Sequence, residues 1–321
     1  MNSSNNFLRP NFLCDFFGQG DIVNQLKVYI FSAKSRETCL DHVLLYGPPG
    51  LGKTSLATII SNEMDTRLIS ISAPSIENQG DLAQILSTIN PGDVLFIDEI
   101  HRLRKECEEI LYSVLEDFKL NISYKSQENV KVVSIDIPPF TLIGATTKIG
   151  LISNPFRERF LIKFKFNYYS NNELCEIISN NSNKMDMKLS AECCMEIAKR
   201  SRETPRIANF LLKRIFDYIL FKKSANINRI FMNEAFSFLG IDEDGFNKED
   251  ILILKLFYDH YKNTPVSLEA IANLINEDSM NISEINEPFL VSNGYLERTR
   301  RGRMITKKGV NKYEKYLLKR K

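Results

Sequence analysis

The stretch Gly47-Pro48-Pro49-Gly50-Leu51-Gly52-Lys53-Thr54-Ser55 follows directly on the apolar run Val43-Leu44-Leu45-Tyr46. Glycines at this spacing let backbone N–H groups turn inward around an anion, an approach that bulkier residues block. The segment Ser55-Leu56-Ala57-Thr58-Ile59-Ile60 reads as a helix, whose N-terminus aims the positive end of its dipole at the same anion. Lys53 supplies a full charge and the Thr54 hydroxyl a ligand for Mg²⁺. Strand, glycine loop and helix in this order limit the chain to an α/β fold that binds a phosphate.

Hydrolysis needs a second, acidic element, and Val94-Leu95-Phe96-Ile97-Asp98-Glu99 provides one. Four apolar residues read as a strand buried on both faces of a parallel sheet, and the two carboxylates fall at its carboxyl end, where open α/β sheets place their ligands. Asp98 is expected to hold Mg²⁺ through its water shell and Glu99 to orient or polarise the attacking water. The residues alone thus describe a Mg²⁺-dependent NTPase.

Between about residues 20 and 165, apolar runs at Val43–Tyr46, Leu68–Ser72, Val94–Ile97 and Phe140–Thr147 alternate with helical patterns, which predicts a parallel sheet with helices on both faces. An insertion from Leu120 to Ile137 has apolar flanks around the polar tip Lys125-Ser126-Gln127-Glu128-Asn129 and reads as a projecting β-hairpin, either a surface loop or a docking arm. From Asn171 to about residue 240 the apolar spacing is helical throughout, as at Leu174, Ile177 and Ile178. Asp242-Glu243-Asp244-Gly245 reads as a polar linker, and helices are predicted over Glu249–Tyr261, Ser267–Ile275 and Asn281–Ser292. An extended pair, Tyr295–Arg298 and Arg303–Thr306, follows. Three helices and a basic hairpin predict a winged helix, with domains at 1–169, 170–241 and 242–321.

Charge supports that reading locally. Lys and Arg number 42 against 40 Asp and Glu over the 321 residues, so the chain as a whole is no polycation and a nucleic-acid surface has to be a patch. The wing supplies it, with Arg298, Arg300, Arg301 and Arg303 in "RTRRGRM". Arg298 and Arg303 are the candidate DNA contacts, their guanidinium forks being suited to phosphates. The six cysteines show no C-x-x-C pairing and no histidine at ligand spacing, which argues against zinc. His42, His101 and His260 are expected in structural or surface roles. Residues Met1–Asn6 do not open a leader and no run of about 18 apolar residues occurs, so a cytoplasmic protein is expected.

Taken together, "LRP" near the start, "GPPGLGKTS", "LFIDEIHRL", "LEDF", "PPFTLIGATT", "RERF", "TPRIAN" and "RTRRGRM" closely resemble the RuvB family of AAA+ ATPases, from about Leu8 to the C-terminus. The resemblance implies a AAA+ P-loop domain, a small helical lid and a C-terminal winged helix. It further implies an ATP-driven motor of Holliday junction branch migration, acting in recombination and repair as a hexameric ring on duplex DNA arms with RuvA, and with room for a RuvC-type resolvase alongside. By position, Leu8, Arg9 and Tyr169 border the nucleotide; Gly50, Gly52, Lys53, Thr54 and Ser55 hold ATP phosphates and Mg²⁺; Glu116, Asp117 and Phe118 contribute to the nucleotide site. Arg159 looks like the arginine finger that reaches the nucleotide of a neighbouring subunit, and Arg206 like the lid arginine that senses nucleotide in its own subunit. Thr146 or Thr147, at the end of its strand, is a candidate sensor residue, and the hairpin is implied to dock on RuvA.

Leu161 stands where the family usually has glycine, and Arg300 where proline is common. Two rival functions share the nucleotide site. A clamp-loader-type ATPase would carry a helical collar instead of a basic wing, and a winged-helix regulator would use ATP as an assembly signal and bind one DNA sequence.

Overall fold

The computed structural model describes residues 7–126, 129–223 and 226–318; the first six residues and the hairpin-tip residues Gln127 and Glu128 lie outside this range. Seven strands lead the chain: Val43–Tyr46 (β1), Leu68–Ser72 (β2), Val94–Asp98 (β3), Lys119–Ser126 (β4), Asn129–Asp136 (β5), Thr141–Thr146 (β6) and Ile162–Lys165 (β7). Five of them form one parallel sheet in the order β2-β3-β6-β1-β7. Every residue of β6 is buried, as a central strand flanked on both faces requires. In contrast, β7 alternates buried Ile162 and Phe164 with exposed Lys163 and Lys165, the pattern of an edge strand. That short alternation was not read from the sequence; the other strands of the sheet fall where the apolar runs place them.

The helices of this part are Gly20–Ser35 (α1), Lys53–Met64 (α2), Gln79–Ser87 (α3), Lys105–Asp117 (α4), Asn154–Glu158 (α5) and Asn171–Lys184 (α6). An Asn78/Asp81 capping box starts α3, satisfying two backbone N–H groups at its N-terminus. Leu44, Leu95, Ile97 and Leu142 of the sheet pack with Leu82 and Leu86 of α3 and Cys107, Leu111 and Val114 of α4. Full burial of each such side chain contributes roughly 1.5–3 kcal/mol. Helix α2 packs on β3 and β6. The antiparallel hairpin β4–β5 runs in register from Lys119↔Asp136 to Ser126↔Asn129, and Val133 and Ile135 are exposed on it.

The chain divides into two compact units, residues 1–184 with 204–206 and residues 185–203 with 207–321. The second contains Ala191–Arg200 (α7), most of Pro205–Lys222 (α8), Arg229–Phe238 (α9), Lys248–His260 (α10), Leu268–Ile275 (α11), Ser279–Asn281 (α12), Glu287–Ser292 (α13), the hairpin Leu296–Thr299 (β8) with Gly302–Ile305 (β9), and Lys307–Leu318 (α14). Between α12 and α13 a π-helical turn spans Ile282–Asn286 where the sequence predicts a continuous helix. Pro288 explains the interruption: it has no N–H for the carbonyl one turn back, and its ring crowds that carbonyl.

Residues 242–245, expected to be a linker, are tied down. The Asp242 carboxylate accepts the N–H groups of Asp244 and Phe246, and Lys312 Nζ reaches Asp242 and Asp244 at 2.6 and 2.5 Å. Arg202 pairs with fully buried Asp250 and donates through Nε to the Gly245 carbonyl at 3.1 Å. Asn286 completes the cluster, donating to Asp250 at 2.7 Å. Among the described residues no helix is long and apolar enough to cross a membrane.

Candidate nucleotide and DNA sites

The sheet order places β6 between β1 and β3, with Tyr46 opposite Thr146 and Ile97 opposite Gly144. The glycine loop after β1 and the carboxylates ending β3 therefore leave the same edge of the sheet. Gly47, Gly50 and Gly52 all have positive φ, at 141°, 79° and 100°. A Cβ on Gly47 would meet the Phe166 carbonyl at 2.6 Å, and one on Gly50 would sit 3.0 Å from Cβ of Arg206. These positions need glycine both for backbone angle and for space.

Lys53 opens α2 and is buried; its Nζ donates to the carbonyls of Gly47 and Pro48 at 2.9 and 2.7 Å. Burial lowers its pKa to about 8, with the Asp98 and Glu99 carboxylates opposing the shift and Arg206 adding to it. Lys53, Asp98, Glu99 and Arg206 thus share one field, and a desolvated ammonium ringed by glycine turns fits a phosphate. Asp98 Oδ1 accepts the Glu99 N–H at 2.9 Å, and Glu99 itself has a left-handed backbone, φ 53°. The Arg206 N–H donates to the Gly50 carbonyl at 3.2 Å, which brings this sequence-distant arginine to the loop.

Tyr169 is buried and its hydroxyl donates to the Leu51 carbonyl at 3.2 Å; burial pushes its pKa well up. Its ring lies against Gly18, where a Cβ would meet it at 2.4 Å, and Phe16 lies against Gly52. Leu8 is buried and Arg9 exposed. Phe16 and Gly18 are additions to the predicted set, since no local pattern marks a pairing with residues so far along the chain.

Arg159 and Glu116 stand together, NH2 to Oε1 at 2.8 Å. The Arg159 Nε is buried with no hydrogen-bond partner among the described residues. Asp117 is exposed, and the Phe118 ring packs on His42 and Phe140. The "EDF" segment is thus tied to Arg159 and to the core. Of the two sensor candidates, Thr146 is fully buried and its hydroxyl engages His101 Nδ1 at 3.0 Å and the Lys148 N–H at 2.9 Å. Thr147, half-buried, makes no such bond among the described residues.

In the wing, Arg298 Nε and Arg303 Nε converge on one oxygen of Glu287 at 2.7 and 2.8 Å, and Arg303 NH2 reaches the other at 3.1 Å. Glu287 is 2% exposed and Arg298 59%. Burial pushes the Glu287 carboxyl up, but the two arginines outweigh it and hold the carboxyl below its ordinary range. Gly302 has φ 145°, and a Cβ there would collide with the Val266 carbonyl, so the wing turn lies flat on that strand-like segment. Arg300 and Arg301 project from the turn, exposed. From Asn263 to Glu297 the chain has no Lys or Arg and six acidic residues, among them Glu269, Glu277, Asp278 and Glu284 on or beside α11 to α13.

A P-loop, a strand-end Asp-Glu pair, an arginine delivered to the loop by a following helix and a basic wing define a AAA+ type nucleotide-binding ATPase with a winged helix. Three family models match in series: the Holliday junction DNA helicase RuvB P-loop domain over residues 8–166, the RuvB AAA lid domain over 169–242 and the RuvB C-terminal winged helix domain over 243–319. The chain belongs to the RuvB family. It is 48% identical to the Holliday junction branch migration complex subunit RuvB of a Nitratiruptor species, over 94% of this chain and 90% of that one. It is 46% identical to the subunit of the same description from Lactobacillus johnsonii, over 94% and 89%. The structure of the Thermotoga maritima RuvB Holliday junction branch migration motor superposes with a TM-score of 0.85 at 44% identity, covering 96% of this chain and 98% of that one.

Proposed function

We propose that the chain is an ATP-hydrolysing motor that drives branch migration of Holliday junctions, working in the cytoplasm as a ring on duplex arms with a RuvA partner and serving recombination and repair. A RuvC-type resolvase would act on the same junctions. The observation that carries the reading is the pairing of a phosphate loop supplied with two carboxylates and Arg206 with a winged helix whose arginines, among the described residues, all lie on its wing and whose α11–α13 stretch carries neither Lys nor Arg.

That distribution favours the motor over the sequence-specific regulator. Base readout would place α12 and α13 in a major groove, against a polyanion, and this stretch is acidic. A grip through Arg298, Arg300, Arg301 and Arg303 on phosphates carries no base information, which suits a protein that passes any sequence. The basic wing likewise speaks against a clamp-loader collar.

In hydrolysis, Lys53 leaves its own carbonyls for the β- and γ-phosphate oxygens, and the N–H groups of the loop through Gly52, Thr54 and Ser55 hold the rest. Thr54 and Asp98 would hold Mg²⁺, which when bound neutralises phosphate charge. Glu99 polarises the attacking water, Arg206 meets the γ-phosphate within the subunit, and Arg159 leaves Glu116 to meet it across a subunit interface. Thr147, whose hydroxyl is uncommitted, is the better sensor of the two. Tyr169, Leu8 and Phe16 line the base side of the nucleotide, and Val133 and Ile135 offer apolar surface for RuvA.

The test is ATP-dependent branch migration of synthetic four-way junctions of unrelated sequences, with and without RuvA, beside footprinting on linear duplex. Migration of every junction with no preferred footprint is expected. ATP hydrolysis without migration, or a footprint on one sequence, would favour a loader or a regulator.

A further inference from the structure

The Glu99 side chain is 37% exposed, and its carboxylate has one ion-pair partner among the described residues, the imidazole of His101. His101 Nε2 lies 3.5 Å from Glu99 Oε2, while the ring, 4% exposed, is fixed on its other side by the Thr146 hydroxyl at 3.0 Å from Nδ1. Thr146 in turn accepts the Lys148 N–H at 2.9 Å. The left-handed backbone of Glu99 and the short turn that follows, closed by the Arg102 N–H on the Glu99 carbonyl at 2.8 Å, bring residues 99 and 101 side by side.

An ionised Glu99 favours one direction for the donors in this chain. The Lys148 N–H donates to Thr146, whose hydroxyl has a single proton left to give; an ionised Glu99 accepts and cannot donate. The tautomer that carries its proton on Nε2, facing an ionised Glu99, leaves Nδ1 to accept the Thr146 hydroxyl proton. The opposite tautomer would set a bare nitrogen lone pair against Glu99. Burial keeps the imidazole below its ordinary pKa, with Glu99 opposing the shift and Lys148 and Arg102 adding to it.

The geometry points to His101 as the positioning residue of the hydrolytic reaction: it fixes the carboxylate of Glu99 for water activation and couples that carboxylate, through Thr146 and Lys148, to the end of β6 that carries Thr147. This rests on Glu99 being the water-activating group. A γ-phosphate held at Thr147 would thereby bias the Glu99 carboxylate through a rigid buried ring. His101, expected from the sequence in a structural or surface role, lies instead between Glu99 and Thr146.

The experiment measures steady-state ATP hydrolysis and, separately, binding of a fluorescent ADP analogue, for the full chain and for Glu99→Gln, His101→Ala, His101→Gln, Thr146→Val and the double variant Glu99→Gln/His101→Ala. Glu99→Gln should lower kcat by about 10²-fold or more; wild-type turnover there would sink the assignment of Glu99 itself and not only that of His101. His101→Ala should lower kcat by roughly 10- to 100-fold with analogue affinity and KM held within about two-fold, the mark of an interaction made in the transition state. His101→Gln, which retains a donor, should recover part of the loss and keeps the test alive if the alanine variant folds poorly. Thr146→Val should fall in the same direction by a smaller factor. In the double variant the two losses should not multiply, because His101 acts only through Glu99. Full kcat in His101→Ala, loss of affinity in place of kcat, or losses that multiply in the double variant would each overturn the proposal.

Discussion

Lys53 and the wing arginines present the same sign of charge, on the proposed function to the same chemical group, and the protein holds them in opposite ways. Lys53 is buried and hydrogen-bonded to two neutral carbonyls, without a carboxylate in hydrogen-bond reach among the described residues. Arg298 and Arg303 are tied to a buried carboxylate while much of Arg298 stays in water. A desolvated ammonium with no carboxylate in direct contact binds an anion strongly, since the incoming charge relieves the cost of burial. Arginines already paired gain less from each phosphate, and their grip is fixed in shape and easily released. Tight, chemistry-directed binding at one site and transient, sequence-blind binding at the other is what a motor on DNA requires.

The largest effect expected from this contrast is at Lys53. Lys53→Ala should abolish hydrolysis and remove the thermal stabilisation that nucleotide gives the wild type, measured as a Tm shift with and without ADP. A retained shift would mean that the glycine loop alone holds the phosphates.

Arg202 supplies the next test, because it resembles the wing pair but sits deeper. Removing it by Arg202→Ala leaves Asp250 buried with only Asn286 and backbone partners, and should cost about 3–5 kcal/mol by denaturant unfolding. A loss below about 1 kcal/mol would place this cluster with ordinary surface pairs.

On the wing, Arg300→Ala and Arg301→Ala should each reduce the slope of log affinity against log salt by roughly 0.9 for duplex DNA. Arg303→Ala should lower affinity further than Arg301→Ala, because it also uncovers the Glu287 charge. Equal losses in all the variants would break the distinction between braced and unbraced arginines.

The smallest effect concerns pH. Burial lowers the pKa of Lys53 to about 8, so the site is charged below that value and loses its cation above it. Binding an anion raises the pKa again, so nucleotide affinity should decline as pH rises through 8, by at most about one log unit per pH unit. Lys53→Arg should bind less well but flatten that decline.

The same contrast separates what could be read in advance from what could not. Glycine spacing, apolar strands and the Asp98-Glu99 pair are local patterns, and β1, β2, β3, β6 and the wing hairpin stand where they were expected. The acidic stretch that gives the wing its contrast was also open to reading. Its brace was not: nothing near Arg298 and Arg303 indicates that Glu287 turns inward to meet both. The same holds for Gly18 against Tyr169, and for His101 between Glu99 and Thr146, where register of separate elements makes the contact. Nor does the sequence show that the Thr146 hydroxyl is engaged by His101 and the Lys148 N–H, the observation on which the proposed choice of Thr147 as sensor rests.

The central claim is that nucleotide is hydrolysed across subunit interfaces to drive DNA movement, and mixed assemblies test it most directly. Branch migration of a four-way junction would be followed with Lys53→Ala subunits, with Arg159→Ala subunits, and with the two premixed. Neither variant alone should move the junction, while the mixture should recover part of the wild-type rate, because a Lys53→Ala subunit can lend Arg159 to a neighbour whose loop is intact. A mixture as inactive as its components, or an Arg159→Ala protein active by itself, would contradict the account.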